Sequence, residues 1–431
     1  MTDARRDAPR TRLLLVGGWP AIVEKALRAA DEVVLFHGNP TEIDPALQDA
    51  CRIVQPIDTQ DETTCIQRAR TLHRTHPFTG VIAVRDVDCM AAAGIRDALG
   101  IAGNSRASVS LTRNKISMRR ALSNGPLDTV AWAAAYDRAE VRAAVARLCA
   151  ASGKPVIVKP ASGRGSLNVR LVSRENVEAV LATHTDAGLA DGLIVERFVE
   201  GAEYSVETLS LNGHHHLLGV TEKLNPPRAP YFVEEGHLFP ARLTDTVLVD
   251  IRARVFRLLD TLGITQGLCH TEIKVDEGIA HLIETHARPA GDRIWRLMEL
   301  ALGIDPIEIG FTALVGRPAS LPETVPAVRL AAIGYVCGDG GRVSTASVDS
   351  SIHEIPGLVE SRLLFQSGAM APPTQDSYSR HAFVIITNAR ECALRDNLET
   401  ALSRIKVLCT PVPSAVVAQR PLPPQTENAR K

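Results

Sequence analysis

Short apolar runs alternate with amphipathic stretches in the first hundred residues of the chain. Apolar runs begin at Arg12 and Glu32 and a third ends at Val84, and helical patterns occupy 21–30 and 88–99. Strands that alternate with helices at this spacing predict the parallel sheet of an α/β domain. The turn after the first run reads Gly-Gly-Trp-Pro and lacks the third glycine of a dinucleotide fingerprint, so no cofactor is expected in this domain.

The pattern changes near residue 150, where short strands separated by glycine loops replace the regular alternation. A helix is predicted at 112–122, an amphipathic helix at 247–262 and a further helix near 390–406. The segment 268–287 has the alternation and the turn residues of a β-hairpin. These elements predict additional α and β structure beyond the first domain.

Composition and charge favour a globular protein that acts on small molecules. The 431 residues are 45% hydrophobic and 23% charged, with a formal net charge of −1 and no apolar run of membrane-spanning length. Neither nucleic acid nor a membrane is therefore an expected partner. The eight cysteines include no Cys-x-x-Cys pair, and residues 1–12 lack the apolar core of a signal peptide. A cytoplasmic protein is predicted.

A lysine at the end of an apolar strand is followed by a glycine-containing loop. The strand delivers Lys159, and Gly163, Gly165 and Ser166 lie in the loop. Glycines allow backbone N–H groups to fold over phosphates, and the lysine adds a positive charge. An ordinary glycine hairpin with a surface lysine explains this segment equally well.

A second strand ends in an acidic residue and continues through an apolar turn into a strand with another acid. The strand end and turn are Glu196, Arg197, Phe198 and Val199, and Glu203 lies on the strand that follows. Such a segment can supply an apolar slot for adenine and a carboxylate for the ribose hydroxyl groups. A solvated hairpin is the alternative, and it is the commoner explanation of such a sequence.

Two glutamates and an arginine occur on the hairpin predicted at 268–287. A three-residue turn at 276–278 predicts a register in which Glu272 and Glu284 are diagonal neighbours on one face, about 7–8 Å apart at Cβ. Two carboxylates at this spacing suit hard cations bound between nucleotide phosphates. Arg288 follows at an even offset and can neutralise charge on a phosphoryl group. A surface salt-bridge ladder is the alternative, and a bulge would change the register.

In this order the three segments resemble the ATP-grasp superfamily, from about Leu111 to Asp305, and look most like its amino-acid ligases. The resemblance implies an α/β fold of the α+β ATP-grasp type, with ATP and Mg²⁺ as cofactors. It implies an N-terminal α/β pre-ATP-grasp domain at 12–110, a two-lobed ATP-grasp domain at 111–320 (small lobe about 111–205, large lobe about 206–320), a small C-terminal α+β domain at 321–410, and a disordered tail at 411–431.

The resemblance also implies a role for each matching residue. Lys115 and Lys159 would bind the nucleotide and its phosphates, and the loop of Gly163, Gly165 and Ser166 would cover them. Residues 196–199 would form the adenine hinge, Glu203 would hold the ribose, Glu272 and Glu284 would bind Mg²⁺, Lys223 would contact the phosphoryl group, and Arg288 would stabilise the acyl phosphate and the tetrahedral intermediate.

Two positions depart from the family pattern Glu-x-Asn-x-Arg-x-Gly-Gly. The chain has His286 in place of the asparagine, and Ala290 replaces the first glycine, which puts a close backbone approach to substrate in question. An imidazole nitrogen suits Mn²⁺ better than Mg²⁺. Either His286 binds the metal and shifts the preference toward Mn²⁺, or Glu272 and Glu284 hold the ions while His286 faces the substrate.

A proline-stiffened loop after Lys223 is the predicted acceptor site. Its polar side chains can recognise the carboxylate and ammonium groups of an amino acid, and a rigid loop with incidental polar groups explains them equally well. The candidates for substrate contact are Arg228, Tyr231, Glu235 and His237 in this loop, and Gly291, Asp292 and Arg293 after the hairpin.

The predicted reaction is ATP-dependent amide or peptide bond formation between a small-molecule carboxylate and an amine, through an acyl phosphate, with release of ADP and phosphate. Two alternatives are a non-catalytic ATP-binding regulator and a ligase that loads the thiol of a carrier protein. The sequence also leaves a homodimer open. A carrier would need a basic docking patch, for which the chain offers Arg228, Arg242, Arg252, Arg254 and Arg257.

Overall fold

The structure, a computed structural model, describes residues 10–163, 165–224 and 232–411. Arg228 and Tyr231 of the predicted acceptor loop lie outside the described residues, as does the predicted tail after Pro411. Within the described ranges, no helix is long and apolar enough to cross a membrane.

The first hundred residues form a parallel sheet with helices on both faces, as the alternating pattern predicts. Its strand order is β3-β2-β1-β4. Leu13 and Leu15 belong to one hydrophobic core, and Leu14 and Val16 belong to another, because successive side chains of a strand point to opposite faces. The elements are β1 (Arg12–Val16), α1 (Pro20–Ala29), β2 (Glu32–His37), α2 (Pro45–Ala50), β3 (Ile53–Pro56), α3 (Glu62–His73), β4 (Gly80–Ala83) and α4 (Cys89–Leu99).

The helix predicted at 112–122 is confirmed from Lys115 to Leu122, but its start is wrong, because the chain forms two helices that meet at Asn114. These are α5 (Arg106–Arg113) and α6 (Lys115–Leu122). The Asn114 side chain accepts a hydrogen bond of 2.9 Å from the backbone N–H of Ser117 and so caps α6. The break makes Lys115 the first residue of α6. Lys115 lines a cavity of about 630 Å³, the central cavity.

A four-stranded antiparallel sheet follows, with the strand order β5-β8-β6-β7. We call this sheet and the helices that pack on it the antiparallel lobe. Val156 and Val158 of β6 pack into the core of this lobe, whereas Ile157 and Lys159 line the central cavity. The alternation of a strand thus delivers the predicted lysine to the cavity. The elements are β5 (Trp132–Ala135), α7 (Arg138–Ser152), β6 (Val156–Pro160), β7 (Arg170–Val172), α8 (Val177–Leu181), α9 (Asp186–Ala190) and β8 (Leu193–Arg197).

The next part of the chain begins a sheet of eight strands. The hairpin predicted at 268–287 and the helix predicted at 247–262 are both confirmed. The elements up to residue 314 are β9 (Ala202–Leu211), β10 (His214–Leu224), β11 (Gly236–Phe239), α10 (Asp245–Thr261), β12 (Gly267–Asp276), β13 (Ile279–His286), α11 (Ile294–Leu302) and α12 (Pro306–Leu314).

The C-terminal segment continues this sheet and adds a small one. Gly236 of β11 pairs with Gly334 of β14, so strands on both sides of residue 320 belong to one sheet. The domain boundaries of the sequence analysis stay predictions. The elements are β14 (Leu330–Val336), β15 (Gly341–Val348), β16 (Leu358–Leu363), β17 (Met370–Ala371), β18 (Ala382–Asn388), α13 (Glu391–Ser403) and β19 (Ile405–Thr410). The eight-stranded sheet has the order β13-β12-β9-β10-β11-β14-β18-β16, and the small sheet has the order β17-β15-β19.

The register of the β12–β13 hairpin differs from the predicted one. Its turn has two residues, Glu277 and Gly278, with φ of 49° and 80°, which is the geometry of a type I′ turn. Ile283 is then unpaired in a bulge, and beyond it Glu272 lies directly opposite Glu284. The predicted three-residue turn and diagonal register are therefore wrong, although the bulge still places both carboxylates on one face.

Candidate active site

The central cavity of about 630 Å³ is lined by the antiparallel lobe, the β12–β13 hairpin, residues 19 and 84–86 of the N-terminal part and residues of the C-terminal segment between 335 and 383. It brings together side chains that the sequence analysis selected from three separate segments. Ala290, at the position of a family glycine, lines it as well. The predicted residues that line it are Lys115, Lys159, Gly163, Gly165, Ser166, Glu196, Arg197, Phe198, Val199, Glu203, Lys223, His237, Glu272, Glu284, His286, Arg288, Gly291, Asp292 and Arg293.

The acceptor loop brings a different acid to the cavity from the one predicted. Glu235 is exposed and does not line the cavity, whereas the preceding Glu234 is buried and does. Glu234 lies 3.2 Å from the Nζ of Lys223 and 3.1 Å from a guanidinium nitrogen of Arg380. Adjacent side chains of an extended segment point to opposite sides, and the sequence does not indicate which of two neighbouring acids faces inward.

Two buried lysines from different segments approach Glu284. The Nζ of Lys115 lies 2.9 Å from Glu284 Oε2 and donates a 2.9 Å hydrogen bond to the Gly163 carbonyl. The Nζ of Lys159 lies 2.8 Å from Glu196 Oε2 and 4.0 Å from Glu284 Oε2. Burial disfavours the charge on Lys159, but the two carboxylates outweigh burial and raise its pKa.

Glu196 is fixed by Arg119, a residue that the sequence analysis did not select. Arg119 is fully buried in α6, and its Nε donates a 2.7 Å hydrogen bond to Glu196 while an Nη donates to the Leu282 carbonyl at 2.9 Å. Burial opposes ionisation of Glu196, but Arg119 and Lys159 outweigh it and lower its pKa to about 2. This carboxylate is thus engaged inside the protein, so the hinge offers a ligand its backbone and apolar side chains.

The turn after β8 is held by Lys274 of β12, which was also missed. Its Nζ donates a 3.1 Å hydrogen bond to the Val199 carbonyl and lies 4.7 Å from the centroid of the Phe198 ring. Lys274 pairs with Glu203 in the β9–β12 register, which places it beside the predicted ribose carboxylate. The turn is therefore fixed by a hydrogen bond and a cation–π contact.

Three glutamates surround the buried Lys223. Its Nζ lies 2.9 Å from Glu272, 3.0 Å from Glu203 and 3.2 Å from Glu234. Burial disfavours the charge of Lys223, yet these carboxylates raise its pKa well above the usual value. Burial, with the neighbouring acids, also raises the pKa of Glu203. The three carboxylates therefore hold Lys223 in its charged form at this end of the cavity.

Each of the two opposed glutamates contacts a histidine of its own strand. His286 Nε2 lies 3.1 Å from Glu284 Oε1, and His270 Nε2 lies 3.3 Å from Glu272 Oε1. The histidines are themselves paired across the strands, with ring centroids 6.2 Å apart and planes inclined by 26°. His270 was missed, although its two-residue spacing from Glu272 places both side chains on one face of β12.

Asp86 connects the N-terminal sheet to this site. One oxygen lies 3.2 Å from His286 Nδ1, and the other accepts a 2.6 Å hydrogen bond from Arg288 Nε. Arg113 also lies 3.0 Å from Asp86. Burial raises the pKa of Asp86, but Arg288 and His286 outweigh burial and hold it well below the usual value. Asp86 follows the carboxyl end of β4, where α/β sheets commonly bind ligands, and this was the available signal.

The C-terminal segment contributes Arg380, for which the sequence offered no signal. Its guanidinium lies 2.8 Å from Asp292 and 3.9 Å from the centroid of the Tyr335 ring. His237 Nε2 lies 3.3 Å from the same Asp292. The Nδ1 of His237 is buried and has no hydrogen-bond partner within the described residues. This nitrogen is available to a polar group of a ligand.

The opposed glutamates fit a hard cation that is shared with phosphate oxygens. Within the part of the chain that the structure describes, no group of three or more His, Cys, Asp or Glu side chains is arranged to hold a metal ion. Glu272 and Glu284 supply two carboxylates directly opposite each other. Mg²⁺ is commonly bound by one or two carboxylates together with substrate phosphates and water. The donor set therefore fits Mg²⁺ or Mn²⁺ bound with a nucleotide.

Two family descriptions match the chain: ATP-grasp domain over residues 152–295 and L-amino acid ligase C-terminal domain 2 over residues 335–409. An uncharacterized protein of Sinorhizobium fredii, y4rH, is 28% identical over 355 residues, which cover 79% of this chain and 71% of that protein. The L-arginine-specific L-amino acid ligase of Bacillus subtilis is 23% identical over 329 residues, which cover 74% of this chain and 78% of that enzyme.

The crystal structure of the L-amino acid ligase from Bacillus licheniformis has the same fold. The match has a TM-score of 0.77 at 22% identity and covers 94% of this chain and 100% of the other. The predicted α/β fold of the ATP-grasp type is thereby confirmed. The chain therefore contains an ATP-grasp domain followed by a C-terminal domain of the L-amino acid ligase type, and it is similar to L-amino acid ligases.

Proposed function

We propose that the protein is an ADP-forming carboxylate–amine ligase that joins amino acids through an acyl phosphate. The observation that carries this proposal is the direct opposition of Glu272 and Glu284 in a cavity that Lys115, Lys159 and Lys223 also line. The carboxylates suit metal ions, and the ammonium groups suit the phosphates of ATP. The similarity to an L-arginine-specific L-amino acid ligase supports amino-acid substrates.

In this proposal ATP lies between the antiparallel lobe and the hairpin. Lys115 and Lys159 contact its phosphates, the loop of Gly163, Gly165 and Ser166 covers them, residues 196–199 contact the adenine, and Glu203 holds the ribose. The burial of both lysines and the fixed turn at Phe198 and Val199 support these roles. A preorganised pocket reduces the cost of ordering groups when the ligand binds.

Mg²⁺, with Mn²⁺ as the alternative, would be held by Glu272 and Glu284. When bound, the metal neutralises charge on the phosphates. Arg288 and Lys223 are the proposed catalytic residues, since both cations line the cavity and can stabilise charge on the phosphoryl group and on the tetrahedral intermediate. Asp86 and the Pro289 carbonyl orient the Arg288 guanidinium through contacts of 2.6 and 2.8 Å. Little acid–base chemistry is then required, and the protein acts by positioning and by excluding water.

The amino-acid substrates are assigned to the end of the cavity near His237 and Asp292. The buried Nδ1 of His237, which has no protein partner in the described ranges, supports this placement. Gly291 and Arg293 line the same end. Asp292 offers a carboxylate to a substrate ammonium, and Arg380 beside it offers a cation to a substrate carboxylate.

No observation favours a carrier-protein acceptor over an amine. Three of the five arginines that would form a docking patch for an acidic carrier already have acidic partners, and a carrier would have to displace those partners. The pairs are Arg242 with Glu391 at 3.3 Å, Arg252 with Glu323 at 2.8 Å and Arg254 with Asp250 at 2.8 Å.

We also propose that the protein works in the cytoplasm. All eight cysteines fall in the described ranges, and each has a free thiol. Free thiols are usual in reducing compartments.

The function is tested by supplying pairs of amino acids with ATP and Mg²⁺ and measuring ADP and phosphate release, followed by the mass of the product. We expect ADP release that depends on both amino acids, with a product mass equal to their sum minus one water. ATP hydrolysis without such a product for every pair would contradict the proposal. Omission of ATP is the control.

Glu203→Ala is expected to raise the KM for ATP about tenfold or more, because charged hydrogen bonds to the ribose are lost. The KM for either amino acid should change much less. Initial rates of ADP release at varied ATP and varied amino acid measure both constants. Glu200→Ala is the control, since Glu200 is exposed and pairs with Lys154. A larger change in the amino-acid KM than in the ATP KM would remove the ribose role.

Gly165→Ala is expected to raise the KM for ATP about tenfold. Gly165 has φ of +59°, and a Cβ there would lie 2.7 Å from the Tyr378 ring, so alanine both strains the loop and pushes against the C-terminal segment. Initial rates at varied ATP measure the change. The control is Gly153→Ala, which has φ of +68° and no atom within 4 Å of its added Cβ. Equal KM values in both variants would show that the contact with Tyr378 is unimportant.

A further inference from the structure

Two rows of carboxylate, imidazole and carboxylate run side by side into the cavity. In the first, His270 lies between Glu207 at 3.0 Å from Nδ1 and Glu272 at 3.3 Å from Nε2. In the second, His286 lies between Asp86 at 3.2 Å from Nδ1 and Glu284 at 3.1 Å from Nε2. Each proposed metal-binding glutamate thus ends a row that begins at a buried acid.

The acids behind the two imidazoles come from different parts of the fold. Glu207 is on β9, beside β12 in the same sheet, and its carboxylate also accepts a 2.7 Å hydrogen bond from Ser205. Asp86 follows the N-terminal parallel sheet. Glu207 and Asp86 are only 1% and 8% exposed, so water does not compete strongly for them. Both rows are therefore anchored away from the cavity.

The contacts of the imidazole nitrogens fix what the rings can do. Both nitrogens of His270 and both nitrogens of His286 lie within 3.0–3.3 Å of a carboxylate oxygen. Each ring therefore faces a buried acid on one side and a proposed metal-binding glutamate on the other, and neither ring has a nitrogen left over for a cation. The two rings are thus placed to hold glutamates rather than to coordinate a cation.

We infer that His270 and His286 are positioning residues that orient Glu272 and Glu284 toward the metal ions, and that neither histidine binds a metal. This inference rests on the proposed function. It gives a physical reason for His286 at a position where the family pattern has asparagine. The ring lies between Glu284 and Asp86, and so links a proposed metal-binding carboxylate to an acid that follows the N-terminal sheet.

The first test is the electron spin-echo spectrum of Mn²⁺ bound to the wild-type protein in the presence of ADP. A nitrogen of imidazole that coordinates Mn²⁺ produces strong nitrogen modulation. We expect no modulation from a directly coordinated imidazole. Such modulation would overturn the inference, and it would leave the proposed ligase function intact.

The second test is the dissociation constant of Mn²⁺ with saturating ADP, measured from the resonance of free Mn²⁺. His286→Ala and His270→Ala should each weaken Mn²⁺ binding by about ten- to a hundredfold, which is the usual effect of removing a group that orients a metal ligand. His281→Ala is the matched control on β13, because its ring contacts Thr129 at 3.0 Å and does not line the cavity. Wild-type affinity in either of the first two variants would overturn the inference.

A double-variant measurement separates positioning from general loss of structure. Asp86→Asn should weaken Mn²⁺ binding in the wild-type background and have little further effect when His286 is already alanine, because Asp86 acts on the metal through that ring. Additive effects would overturn the Asp86 row. If the wild-type protein binds no Mn²⁺ with ADP at all, the proposed function fails, and the inference falls with it.

Discussion

Glu284→Gln is expected to lower ADP formation by about a thousandfold or more, while the protein remains folded. The amide keeps the size of the side chain and removes the negative charge, so one of two proposed metal carboxylates is lost. Folding should survive, because Lys115 keeps its bond to the Gly163 carbonyl and Lys159 keeps Glu196. ADP release with saturating ATP and amino acids measures the effect.

The matched control for that variant is Glu277→Gln, in the turn of the same hairpin. Glu277 is exposed, so its replacement should leave ADP formation unchanged. Thermal unfolding of both variants checks that the fold is kept. Wild-type turnover by Glu284→Gln would refute the assignment of Glu284 to the metal and, with it, the observation on which the proposed function depends.

Sequence patterns predicted best those elements whose structure follows from the local alternation of apolar and polar residues. The alternation of Val156, Ile157 and Val158 predicts a strand, and the same alternation delivers Lys159 to the cavity. The hairpin at 268–287 was also predicted, but its register was not. The register depends on one bulged residue, Ile283. Compared with a hairpin without a bulge, the extra residue shifts the pairing beyond it by one position and so exchanges the faces on which the later side chains lie.

The residues that the sequence analysis missed are mainly those that act by contact with distant parts of the chain. Asp86, Arg119 and Arg380 each pair with a site residue from another segment. Nothing within a few positions of these residues indicates such a partner, because the partner is set by packing of sheets and helices. Short-range patterns thus identified the side chains nearest to the proposed nucleotide and missed the side chains that hold them.

The site is consequently assembled from four parts of the chain, and electrostatic pairing holds it together. The N-terminal sheet supplies Asp86, the antiparallel lobe Lys159, the hairpin Glu284, and the C-terminal segment Arg380. Buried charges of this kind are costly unless each has its partner. A change that leaves buried acceptors without their main donor should therefore lower the stability of the whole protein, and not only affect the chemistry of the site.

Arg119→Met is the change for which we expect the largest loss of stability, about 3–5 kcal/mol in the free energy of unfolding at neutral pH. Arg119 is fully buried, donates to Glu196 and caps the Leu282 carbonyl. Methionine is of similar length and cannot donate, so both acceptors lose a partner in a region that excludes water. Urea unfolding followed by circular dichroism measures the difference.

The neighbouring residue provides a matched control in the same helix. Arg120 is exposed, and a single contact of 3.4 Å joins it to the Tyr136 hydroxyl, so Arg120→Met should change stability by less than about 0.5 kcal/mol. Equal stability of the Arg119 and Arg120 variants would mean that the buried pair contributes nothing, and that Glu196 is held by Lys159 alone.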